Sequence, residues 1–135
     1  MTFSPLARCA LALLVAADWA PMAQAATPAE LLAGYVKQAG APASAERGQK
    51  FFATDFKRDF KGCVECHTAN PLKAGKDSIS EKVIAPLAPT ANSKRFTDAT
   101  KAEQAFRTNC KDVVGRECTA GEKADILSWL ITIKP

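Results

Sequence analysis

The chain is poor in the residues that build most metal and acid–base centres. Its 135 residues include one histidine, His67, and two methionines, Met1 and Met22. Any site that needs two imidazoles is therefore excluded, and no methionine beyond residue 22 can act as a ligand. Long apolar runs are missing as well. The stretch Cys9 to Ala17, broken by Asp18, falls short of the roughly 20 apolar residues that cross a bilayer. Strand-like alternation of useful length is absent, and so is an internal repeat. Basic residues are scattered, with no run and no interleaved aromatics, which argues against a nucleic-acid partner. The balance of 18 Lys and Arg against 14 Asp and Glu is a mild excess, +4 at pH 7. Such a surface is either the ordinary mixed charge of a soluble protein or a face suited to an acidic redox partner.

What is present is Cys63-Val64-Glu65-Cys66-His67. Cys-x-x-Cys-His attaches haem covalently, each sulfur forming a thioether with a haem vinyl group while the adjacent imidazole takes the iron from the proximal side. The expected cofactor is one covalent haem c, held by Cys63 and Cys66 with His67 as proximal ligand. With neither a second histidine nor a usable methionine, the sixth position needs an unusual ligand. Iron held by one good ligand is open to small molecules.

Residues 1–25 read as an export signal. Arg8 precedes the apolar stretch, and Ala23-Gln24-Ala25 has the small-x-small form that signal peptidase cuts. An uncleaved anchor is the alternative. Cleavage leaves residues 26–135 as a single haem-binding domain in the periplasm, with no membrane insertion of the mature chain. It also removes Arg8 and Asp18 together, so the net charge does not change. At this size the haem must form part of the core, and the haem-free chain is expected to fold poorly.

Of five cysteines, Cys9 leaves with the signal and two go to haem, so Cys110 and Cys118 remain. In an oxidising compartment they would join across Lys111 to Glu117, a bridge worth roughly 2–3 kcal/mol. Two free thiols are the other possibility.

Helix signals dominate the rest. Thr27-Pro28-Ala29-Glu30 opens a helix that Gly40 stops, and a second runs from Ser44 to about Asp55. Thr68 to Ser80 reads as irregular chain, and Ile84 to Pro89 as an apolar loop against a haem edge. Thr100-x-x-Glu103 predicts a short helix ending near Asn109-Cys110. Thr119-x-x-Glu122 starts the last helix, whose stripe is Ala124, Ile126, Leu127, Leu130, Ile131 and Ile133. The fold class is all-α around one haem.

Gly48-x-x-Phe51, the haem motif and a capped C-terminal helix together resemble a class I cytochrome c. The segments Leu32-Ala33-Gly34-Tyr35, Ala45-Glu46-Arg47-Gly48, Ala85-Pro86-Leu87-Ala88-Pro89 and Arg95-Phe96-Thr97-Asp98 resemble the sphaeroides haem protein family more specifically. So do Asn109-Cys110 and Gly115-Arg116-Glu117-Cys118-Thr119. The resemblance implies that Asn109 is the distal haem ligand, where the related cytochrome c double-prime has a histidine, and that Cys110 pairs with Cys118. It further implies a ferrous haem that binds diatomic ligands such as O2, NO and CO once the weak amide leaves. Electron partners would be a dihaem cytochrome c or a membrane cytochrome b.

The residues alone leave Asn109 a second role, as a helix C-terminal turn residue. Lys94, Lys101, Lys111, Tyr35, Asn70 and Asn92 are further chemical candidates for the iron. A plain electron carrier with a tuned axial ligand is the alternative function. An oxygen or peroxide reductase is disfavoured, because no distal histidine is available for acid–base work, and at most a weak oxygen-reducing activity is expected.

Overall fold

The computed structural model describes residues 25–135; the expected export signal lies outside them apart from Ala25. Among the described residues five helices carry the fold: α1 (Pro28–Ala39), α2 (Ala45–Ala53), the single turn α3 (Val64–His67), α4 (Ala99–Val114) and α5 (Ala120–Thr132). Between α3 and α4 a two-residue antiparallel pair, β1 (Gly75–Lys76) with β2 (Val83–Ile84), forms a small hairpin. The all-α expectation stands, with this hairpin added: β1 falls inside the stretch expected to be irregular, and β2 takes Ile84, the first residue of the expected apolar loop.

Local chemistry accounts for the helix ends. Thr27 and Glu30 form the expected capping box, and Gly40 takes the left-handed conformation, φ 65°, that closes α1. Ser44 Oγ accepts from Arg47 N at 3.2 Å to start α2. That helix stops at Ala53, two residues short of the expected Asp55, because Thr54 turns extended and donates its hydroxyl to Lys50 O at 2.7 Å. Thr119 and Glu122 box the start of α5 as expected.

The fourth helix departs from expectation at both ends. Asp98, not Thr100, is the cap, its Oδ1 accepting from Lys101 N at 3.0 Å. Glu103 does not fold back on the helix start, because its carboxylate takes Lys123 Nζ at 2.7 Å. The helix then passes through Asn109 and Cys110 to Val114, and Gly115, at φ 84°, makes the left-handed turn. A disulfide ties the last turn of α4 to the residue before the α5 cap, Cys110 to Cys118, with Cα atoms 5.6 Å apart.

The predicted stripe of α5 is the spine of the core. Leu127 and Leu130 are wholly buried; Leu127 packs with Leu31, Tyr35, Ala102 and Ala124, and Leu130 with Phe52 and Ile126. Each such leucine contributes about 1.5–3 kcal/mol. Tyr35 is core, edge-on to Phe106 with ring centres 5.8 Å apart. Trp129 packs on Phe52.

The crossing of α2 over α5 is close enough to require a glycine. A Cβ on Gly48 would overlap the Asp125 carbonyl oxygen and sit 2.7 Å from Ile126 N. Asp125 locks the same crossing through its carboxylate, which accepts from Ser44 N at 2.6 Å and from Arg47 Nε and Nη2 at 2.7 and 2.8 Å. Gly48→Ala should therefore destabilise the holoprotein by about 3 kcal/mol. Overpacking against backbone costs about 1–3 kcal/mol or more and outweighs the roughly 1 kcal/mol that alanine gains in helix propensity. A thermal melt checks this: an unchanged or raised midpoint would mean that the two helices can separate at little cost.

Candidate haem site

Cys63, Cys66 and His67 stand at i, i+3 and i+4 around α3, so one turn of helix brings the two sulfurs and the imidazole to one side. Gly62 delivers the chain into that turn: at φ 143° its backbone passes where a Cβ would lie 2.5 Å from Thr54 O. Thr68, at φ 62°, ends the turn immediately after the histidine. The β hairpin then folds back on it. A Cβ on Gly75 would overlap the Cys66 carbonyl oxygen and lie 3.0 Å from His67 Cα.

All three residues open into a cavity of about 370 Å³, a size typical of cofactor sites. Its walls are largely apolar. Phe51 and Phe52 come from α2, Leu87 and Phe96 from the long loop, and Ile126 and Leu130 from α5. The hairpin contributes Ile79 and Ile84 at the rim, Ile79 being 79% exposed. Helix α4 presents Ala102, Ala105, Phe106, Asn109, Cys110, Asp112 and Val113. These recur with helical period, so one face of α4 forms a wall.

The electrostatics suit a covalent haem. Burial pushes the Cys63 thiol up to about 11, so the position favours an uncharged sulfur such as a thioether. Burial, with a smaller contribution from the Arg95 charge, lowers the His67 pKa and keeps the imidazole in the neutral form that can ligate iron. His67 Nδ1 is buried without a hydrogen-bond partner, so no protein acceptor competes for the ring on that side. Two uncharged sulfurs, a neutral imidazole and apolar walls fit a flat, largely apolar macrocycle attached at one edge.

The expected residues are thus brought to one cavity: Cys63, Cys66, His67, Asn109 and Cys110 line it, and Cys118 reaches it only through its bond to Cys110. The other ligand candidates do not. Tyr35 is in the helical core, and Lys101 and Lys111 pair with Asp98 and Glu117 at 3.4 and 3.3 Å. Asn92 donates to Pro86 O at 3.3 Å, Asn70 caps its own turn by accepting from Leu72 N, and Lys94 lies off the cavity wall. Sequence reasoning did not place Asp77 and Asp112 at the site. Only the helical spacing from Asn109 could have indicated Asp112.

A protein family described as a domain of unknown function, DUF1924, matches residues 38–130. The cytochrome c-type protein SHP of Cereibacter sphaeroides is 50% identical over 107 residues, which cover 77% of this chain and 82% of SHP. The chain belongs to the sphaeroides haem protein family. Cytochrome c'' of Methylophilus methylotrophus, a related protein, is 42% identical over 88 residues, covering 63% of this chain and 61% of its own length. The structure of oxidized SHP, an oxygen-binding cytochrome c, superimposes with a TM-score of 0.74 at 48% identity, covering 79% of this chain and 97% of SHP. The fold is that of these cytochromes, and the cofactor of this sphaeroides haem protein relative is covalently attached haem c. Among the described residues, no helix is long and apolar enough to cross a membrane.

Proposed function

We propose that the chain is a periplasmic monohaem cytochrome c that binds small diatomic ligands in the ferrous state and exchanges electrons with other cytochromes. Cys63 and Cys66 would hold the haem, His67 would give Nε2 to the iron, and Asn109 would take the other axial position. The observation that carries this reading is the placement of Asn109 inside α4, five residues before its end, on the face that lines the cavity. A C-terminal turn role is closed to it, because Gly115 makes that turn six residues later.

When bound, the haem supplies a redox-active iron able to take dioxygen, nitric oxide or carbon monoxide. The protein supplies the rest. His67, kept neutral by burial, anchors one side. The Asn109 amide oxygen is a weak, hard donor, acceptable to ferric iron and poorly competitive for ferrous iron. Its backbone is fixed in helix, so a side-chain rotation alone would withdraw it from the iron. Its amide N–H would be a donor for a small ligand bound nearby. The Cys110–Cys118 bridge, suited to the oxidising compartment that a cleaved signal implies, holds the adjacent turn still while this happens.

SHP is an oxygen-binding cytochrome c, which supports ligand binding here. A net charge of +4 suits electron exchange with an acidic partner, such as a dihaem cytochrome c or a membrane cytochrome b. The experiment is the anaerobic visible spectrum of dithionite-reduced protein before and after carbon monoxide. High-spin ferrous bands that convert on addition are expected. Sharp low-spin bands indifferent to carbon monoxide would sink this reading in favour of a plain electron carrier.

A further inference from the structure

Arg95 is the one lysine or arginine among the described residues that line the cavity. Its guanidinium is held by main chain alone. Nε donates to Pro86 O at 3.0 Å and Nη2 to Ala85 O at 2.6 Å. None of the ion pairs among the described residues includes it. The loop that supplies these carbonyls is itself pinned, because Leu87 N and Ala88 N both donate to Pro71 O at 3.0 Å and Asn92 Nδ2 adds a bond to Pro86 O. The guanidinium is therefore held in place by a loop that is itself fixed.

A partly buried cation with no counter-ion, set in an apolar wall, is costly unless the occupant brings negative charge. A guanidinium has five N–H donors, and two are used, so three remain in a fork suited to a carboxylate. The expected occupant carries two carboxylates, the haem propionates. We propose that Arg95 is the clamp for a haem propionate and, through that charge pair, a residue that sets the reduction potential of the iron. This rests on the reading that haem c fills the cavity. Arg95 positions and tunes; it is not assigned as an iron ligand.

The sign follows from charge. A cation near the iron favours the less positive ferrous state, and its removal should favour ferric. Loss of the clamp should also raise the pKa of the freed propionate into the accessible range, so that the potential rises as the pH falls through it. His67, Asp77 and Asp112 are the other histidine and carboxylate side chains on the cavity wall. They are common to wild type and variant, so the difference between the two isolates Arg95.

The test is spectroelectrochemical titration of holoprotein from pH 5 to 9 for wild type, Arg95→Gln and Arg95→Lys, with haem attachment verified by intact mass. At pH 8, Arg95→Gln should shift the ferric–ferrous equilibrium about tenfold toward ferric, about 59 mV for one electron, and should add a pH-dependent slope. Arg95→Lys, which keeps the charge and loses the fork, should recover most of the potential. A haem-loaded Arg95→Gln with wild-type potential and pH profile would overturn the proposal. If Arg95→Gln does not mature, Arg95→Leu replaces it as the charge-removing variant, and a haem-loaded Arg95→Leu with wild-type potential and pH profile would likewise overturn the proposal. Failure of the wild type to carry haem would instead overturn the reading beneath.

Discussion

Asn109→Ala is expected to leave the ferric holoprotein five-coordinate or water-bound, with a high-spin visible spectrum, while folding and haem attachment persist. Position 109 is exposed on a 16-residue helix that does not depend on its side chain. Alanine favours helix over asparagine by up to about 0.7 kcal/mol, so stability should hold or rise slightly. The neighbouring bridge, Cys110 to Cys118, keeps the turn in place in the variant. Only the group offered to the iron changes. Asn109→His is the matching control: an imidazole at the same helical position should give a low-spin ferric protein. The ferric spectra of the two variants, compared with wild type, check the assignment. An Asn109→Ala spectrum identical to wild type would remove Asn109 as a ligand, and a high-spin Asn109→His would show that this position cannot reach the iron.

Much of this site was legible because its chemistry is local. Cys63, Cys66 and His67 are fixed by spacing within five residues, and the boxes at Thr27 and Thr119 are each closed within four. The start of α4 was misread because Asp98 and Thr100 both have capping side chains, and the choice depends on Glu103 being drawn away by Lys123, twenty residues on. Its end was misread because asparagine is a common turn residue, although nothing from Lys111 to Val114 breaks a helix before Gly115. The hairpin left no periodic trace. Its strands are two residues each, and its turn is organised by Asp77 Oδ1, which accepts from Ile79 N, Ser80 N and the Ser80 hydroxyl. Asp125 was hidden inside an apolar stripe, its partner Arg47 lying 78 residues earlier. Arg95 reached the cavity wall through carbonyls of its own loop, a placement no local pattern encodes.

The haem-free chain should lack a cooperative fold. Cys63→Ser/Cys66→Ser, which cannot form the thioethers, is expected to retain partial helix and show no sharp thermal transition. The cavity is walled by α2, α4, α5, the hairpin and the long loop, so its filling is shared by nearly every element outside α1. Without haem those largely apolar walls stand open to water, a loss that weighs heavily on a domain held by only roughly 5–15 kcal/mol. The packing of α1 on α5 around Leu31, Tyr35, Ala124 and Leu127 lies off the cavity wall, and the Cys110–Cys118 bridge is covalent, so neither requires the haem. A compact helical state with a loosened haem side is therefore expected, not a random chain. Far-ultraviolet circular dichroism through a melt, with binding of a hydrophobic dye, measures both features. A double variant that melts cooperatively within a few degrees of the holoprotein would show that the helices alone specify the cavity, and that haem enters a finished site.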